Sequence, residues 1–185
     1  MAEEKRAAHI PARGSTGVTG HGAPVDATAL LEADHRQAMD WFEQFERARV
    51  GTHKEELALR ICQALRMHMQ IEEEIFYPAF REAARDTSTH HEAEIEHESA
   101  RRLIAEIETS APEDEYFDAK VRVLSEMIKH HVDEEEKHDG MFAKARESNM
   151  DLGEIGVQLA ARKAGLAAVA RTGAWAGRGT PPPNA

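Results

Sequence analysis

Residues 65–80 read LRMHMQIEEEIFYPAF, and they place His68 and Glu72 one turn apart on what is otherwise the apolar stripe of a helix. At about 100° per residue, Ile61, Leu65, His68, Glu72 and Ile75 fall on one face. Burying an imidazole and a carboxylate there without partners costs several kcal/mol, so the fold must supply something that compensates them.

The same arrangement recurs along the chain. Val121, Leu124, Ile128, His131 and Glu135 share a face, as do Leu31, His35, Met39 and Phe42, and His97 falls in phase with Ile104. The periodicity is helical throughout residues 26–170, with no alternating stretch that would make a strand. The first helix is expected from near Thr28 to Arg49, capped by Asp26 or Thr28. The second is expected from Thr52 to about Arg85, bent at Pro78. The third is expected from Thr87 or Ser88 to Thr109, and the fourth from a capping box at Ser110 and Glu113 to about Lys137. A shorter fifth helix opens at Asp151, carries Leu152, Ile155, Leu159, Leu166 and Val169 on one stripe, and has Gly156 and Gly165 to permit close packing. The expected fold is all-α: an up-down-up-down four-helix bundle over residues 26–150, a C-terminal amphipathic helix over 151–170, and flexible tails at 1–25 and 171–185. The fifth helix is expected to cap the bundle or to form a dimer contact.

Helix lengths test whether the polar residues meet. His35 lies 14 residues before Arg49 and His68 lies 16 after Thr52, so an antiparallel pair brings them to one level. His97 lies 12 residues before Thr109, but His131 lies 18 after Glu113. Either the fourth helix starts later than its capping box, or the connection climbs before turning.

Four imidazoles and two carboxylates on inward faces form a ligand set for two divalent or trivalent ions such as iron, manganese or zinc, with the carboxylates able to bridge. The spacing His-x-x-x-Glu is weak alone, since His90/Glu94 and His130/Glu134 match it too. His130 falls about 100° off the apolar stripe and reads as a solvent or supporting residue, and His90 lies two turns from His97. In the run Glu72–Glu74 one residue points inward and two are solvated neighbours. Phe76 and Tyr77 should pack beside the site, with Tyr77 a candidate radical or proton relay. Cys62 lies roughly 120° from His68 and reads as a small buried residue.

Composition excludes other classes. A net charge of -11 argues against a nucleic-acid surface, and no apolar run is long enough to span a membrane. The single cysteine rules out an internal disulfide framework and fits a reducing, cytoplasmic setting.

The segments LLEADHRQAM (residues 30–39), HMQIEEEIFYPAF (68–80), EIEHESARRLIAEI (94–107) and HHVDEEEKHDGMF (130–142) resemble the four helices of the hemerythrin-like, or HHE cation-binding, family. The resemblance implies a non-heme di-iron centre, two iron ions bridged by oxo and carboxylate groups, with His35, His68, Glu72, His97, His131 and Glu135 as metal ligands. It also implies a small oxidant as partner. Oxygen carriers of this family have a second histidine four residues from the first on the third helix, where Ala93 and Arg101 stand here. They also have an aspartate five residues after the last histidine, whereas Glu135 comes at four. The departures argue against reversible carriage and toward relatives implicated in sensing iron or oxygen, response to nitric oxide, peroxide removal or repair of iron centres. An iron-sensing module without turnover is the alternative reading. Glu94 is a further candidate at the metal, Arg101 a candidate anion contact, and Asp139 and Gly140 should break the end of the fourth helix.

Overall fold

The computed structural model describes residues 26–49, 51–84 and 88–171, and among these no strand occurs. The tails expected at 1–25 and 171–185 lie outside the described residues, except for Arg171, which closes the last helix. Helix α1 spans Ala27–Arg47, α2 Thr52–Ile71, α3 Tyr77–Ala84, α4 Ser88–Thr109, α5 Phe117–Glu136, α6 Met141–Glu147 and α7 Leu152–Arg171, with a π-helical turn at Glu72–Phe76 joining α2 to α3. Neighbouring pairs α1 and α2, α2 and α4, α4 and α5, and α5 and α1 all pack together, which closes a four-membered antiparallel ring. Asp26 caps α1 through Ala29 N–H at 3.1 Å. At the α1–α2 turn Gly51 has φ 138°, a conformation that disfavours any side chain.

Three expectations need correction. The second helix is interrupted by the π turn rather than by a bend at Pro78. Proline has no N–H and its ring crowds the carbonyl four residues back, and the wider turn just ahead of it accommodates both. The extra residue shifts the buried stripe, so Phe76 and Tyr77 are fully buried while Ile75 is only half-buried. The fourth helix does not begin at its capping box. Ser110 Oγ turns back to the Glu106 carbonyl at 2.7 Å, and a turn follows in which Asp114 accepts from Tyr116 N–H at 2.8 Å. With α5 opening at Phe117, His131 lies 14 residues in, which removes the mismatch with His97. Finally, α7 packs against α1, α2 and the π turn, but not through both of its glycines. Gly156 is buried there, but Gly165 faces open space.

Among the described residues the core has two apolar compartments. One gathers Phe42, Phe45, Leu57, Ile61, Ile104 and Phe117 with their neighbours, and includes Cys62, whose thiol burial pushes up to about 12. The other gathers Leu31, Phe76, Tyr77, Phe80, Phe142 and Leu159. Each large side chain buried this way contributes about 1.5–3 kcal/mol. His35 sits between Leu31 of one compartment and Ala38 of the other, and His97 between Ala93 and Ala100, so the polar residues form a layer dividing the two.

After α5 the chain reverses at Lys137–Gly140, as Asp139 and Gly140 suggested. A Cβ on Gly140 would lie 2.5 Å from the Glu134 carbonyl oxygen and 2.6 Å from that of Glu135, so only glycine fits. Gly140→Ala is expected to cost about 1–3 kcal/mol by forcing the backbone apart. Gly165→Ala, in open space within a helix, should gain about 0.5–1 kcal/mol. Thermal denaturation of the two variants, with opposite shifts in Tm, checks both.

Candidate metal centre

Each long helix delivers its inward histidine to one level: His35 from α1, His68 from α2, His97 from α4 and His131 from α5. Glu72 opens the π turn and Glu135 follows His131 by one turn. All six are buried, none more than 6% exposed. Ligand atoms of His35, His68, Glu72, His131 and Glu135 lie within 4.8 Å of one another. His97 joins through Nε2, 3.5 Å from Glu72 Oε2 and 3.2 Å from His131 Nε2.

The imidazoles meet in pairs. His35 and His68 approach at 2.9 Å between Nε2 atoms, and His97 and His131 at 3.2 Å. Each carboxylate touches one member of each pair. Glu72 Oε2 lies 3.2 Å from His68 and 3.5 Å from His97, while Glu135 Oε2 lies 3.5 Å from His35 and 3.6 Å from His131.

The outer nitrogens explain why four Nε2 atoms face inward. His35 Nδ1 donates to Glu136 at 2.7 Å, His97 Nδ1 to Glu73 at 2.9 Å and His131 Nδ1 to Glu96 at 2.8 Å, and His68 Nδ1 faces Asp34 at 3.6 Å. A proton kept on Nδ1 leaves the Nε2 lone pair for a cation. In His97 and His131, whose Nδ1 atoms both donate outward, two Nε2 lone pairs 3.2 Å apart need a positive charge between them, and Glu72 Oε1 and Glu135 Oε2 are buried with no hydrogen-bond partner. The residues present therefore fit divalent or trivalent ions.

The electrostatics of the cluster agree. Burial works against a charged His68, but Glu72 and Asp34 outweigh it and push it up to about 10. His131 is likewise raised, with Glu135 and Glu96 outweighing burial, while burial holds His35 and His97 below the ordinary histidine value. Each pair thus has one member shifted up and one shifted down. Burial together with the charge of Glu72 pushes Glu135 up to about 8. Glu72 is drawn down to about 2 by His68 against its own burial.

Sequence reasoning missed the outer carboxylates. Glu73 was expected to be solvated, yet it holds His97 and pairs with Arg101, so Arg101 is not free to meet an anion. Glu74 pairs with Arg162. A signal was present: Asp34, Glu73, Glu96 and Glu136 are each the sequence neighbour of a residue in the cluster. One step along a helix turns about 100°, and so reaches behind the imidazole of the next helix. Tyr77 was expected beside the site and lies in it. Its hydroxyl donates toward Glu135 Oε1 at 3.1 Å, also lies 3.4 Å from Glu72 and 3.2 Å from His97 Nε2, and its ring stacks on His97. Five residues of ordinary helix would turn it about 140° from Glu72, and the π turn brings it back. Glu94 is half-exposed and serves buried His90, which packs edge-on to Tyr77 and stays outside the cluster. His130 points to solvent, 3.4 Å from Glu96.

A cavity of about 110 Å³ reaches the imidazoles from the seam between α1 and α2. Gln37, Trp41, Met67 and Lys163 stand at its outer end, and Ala38, Leu65 and Ile128 form its walls.

The family model described as the hemerythrin HHE cation binding domain matches residues 26–143. This chain belongs to that family. A crystal structure of a hemerythrin HHE cation binding domain-containing protein from Mycobacterium kansasii shares the fold, with a TM-score of 0.69 and 22% identity over 80% of this chain and 91% of the other. No curated relative matches the chain. Hemerythrin HHE domains bind metal cations, and the buried His/Glu cluster of this member has the chemistry for it. No helix among the described residues is long and apolar enough to cross a membrane.

His68→Ala and Glu135→Ala are expected to abolish metal retention, whereas His130→Ala and His53→Ala, both at exposed positions, should keep it. Metal analysis of the purified variants tells them apart. Because His68 holds its proton up to about 10 and Glu135 up to about 8, metal uptake at neutral pH should release protons and strengthen as pH rises. Calorimetry in buffers of different ionisation enthalpy measures this, and uptake without proton release contradicts it.

Proposed function

We propose that this hemerythrin HHE protein holds two iron ions through His35, His68, Glu72, His97, His131 and Glu135, and reacts with or senses a small oxidant such as dioxygen, peroxide or nitric oxide. The observation that supports this most is the placement of the carboxylates. Each reaches one imidazole of both pairs, which is the arrangement of groups that bridge two ions. Imidazole and carboxylate suit iron, and the lone cysteine lies in an apolar compartment away from the cluster. Bound iron supplies exchange between ferrous and ferric states.

The chain supplies the rest. The apolar walls of the cavity favour entry of small neutral molecules over ions. Tyr77, held well above its ordinary value by burial and by Glu135 and Glu72, keeps its proton and offers a donor beside both carboxylates. Its hydroxyl is the proton donor that the chain itself holds against the ligand set. A single buried cysteine fits a reducing, cytoplasmic compartment.

A second reading has its own support. Ligands come from all four helices and divide the core, so metal occupancy couples to bundle stability, as an iron-sensing module requires.

Chain loaded anaerobically with ferrous iron is expected to hold about two ions, to oxidise in air without reverting under vacuum, and to decompose peroxide at a modest rate. Metal analysis with absorption spectra before and after oxidant checks this. Spectra that revert under vacuum would restore the carrier role, and oxidation without peroxide turnover would favour the sensing reading. Tyr77→Phe should keep the iron and slow peroxide decomposition by about 100-fold, the lower range for loss of a positioned proton donor. An unchanged rate removes Tyr77 from the chemistry.

A further inference from the structure

Helix α7 lies outside the residues matched by the family model, yet one of its side chains reaches toward the cluster. Lys163 Nζ donates to Asp34 Oδ1, and the other oxygen of Asp34 stands 3.6 Å from His68 Nδ1. The imidazoles of His35, His97 and His131 each donate directly to a glutamate at 2.7–2.9 Å. His68 faces the shorter aspartate instead, and both its Nδ1 and Asp34 Oδ2 are buried without a hydrogen-bond partner. Asp34 has 16% of its side chain exposed, so it can turn toward water unless its first oxygen is held. Lys163 holds that oxygen, and it also stands at the outer end of the cavity whose inner wall includes His68.

We propose that Lys163 is a positioning residue of the metal centre: it orients Asp34 behind the outer nitrogen of His68, and so makes α7 part of the site. The inference rests on the metal-binding reading above. Supporting carboxylates fix the tautomer and direction of a ligating imidazole, and losing one typically weakens metal binding by about 10–100-fold. The residue before Lys163 provides the control. Arg162 binds Glu74 through two nitrogens at 2.6 and 2.9 Å and also ties α7 to the bundle, but the Arg162–Glu74 pair touches no imidazole of the cluster.

The test loads wild type, Lys163→Met, Lys163→Arg and Arg162→Met with ferrous iron under argon, and then measures iron loss to an excess of a ferrous chelator. Thermal unfolding of the metal-free chains accompanies it. Lys163→Met should lose iron about tenfold faster than wild type, while Lys163→Arg and Arg162→Met stay close to wild type. The metal-free Tm of the two methionine variants should be lowered alike. Iron loss from Lys163→Met no faster than from Arg162→Met overturns the proposal and leaves the metal-binding reading intact. Wild type that takes up no iron overturns both.

Discussion

The structure depends on four imidazole Nε2 atoms and two carboxylates converging in a layer with almost no access to water. An unpaired charge in such a layer costs several kcal/mol, and the site is arranged so that none is unpaired. Glu72 and Glu135 each lie against one imidazole from both pairs, and three of the four Nδ1 atoms donate to a glutamate. Glu72 Oε1, Glu135 Oε2 and the facing Nε2 lone pairs are what is left over, and all of them suit a cation.

The outer carboxylates are themselves supported. Arg101 pairs with Glu73 and Lys163 with Asp34, so two imidazoles connect through an acid to a base at the rim. In Glu96 and Glu136 the imidazole N–H keeps the carboxyl below its ordinary range. In Glu73 and Asp34 burial acts the other way and is outweighed by His97 with Arg101, and by His68 with Lys163. These rim pairs are partly exposed, so each contributes little to stability by itself. Their value lies in orientation, since a fixed Nδ1 partner fixes the direction of Nε2.

Two backbone irregularities place the layer. The π turn at Glu72–Phe76 lets Glu72 and Tyr77, five residues apart, face the same interior. Gly140 lets the chain turn back against the carbonyls of Glu134 and Glu135, and α6 then seats Phe142 against the His35 ring at a 5.7 Å centroid distance. Both irregularities sit at the edge of the site, where a regular helix would have pointed these groups elsewhere.

The sequence by itself determined the helical class and the inward phase of His35, His68, Glu72, His97, His131 and Glu135. An amphipathic helix writes its buried face into a period of about 3.6 residues, and a polar residue on that face stands out against it. Tertiary structure alone decided what depends on contacts between helices or on local departures from that period. The late start of α5 follows from Ser110 turning back to Glu106, the π turn moved Tyr77 into the site, and Asp34, Glu73, Glu96 and Glu136 serve imidazoles on other helices. Such residues lie off the apolar stripe, where a solvated carboxylate and one held behind a neighbouring helix's histidine look the same in sequence. Only the distance between helices separates them.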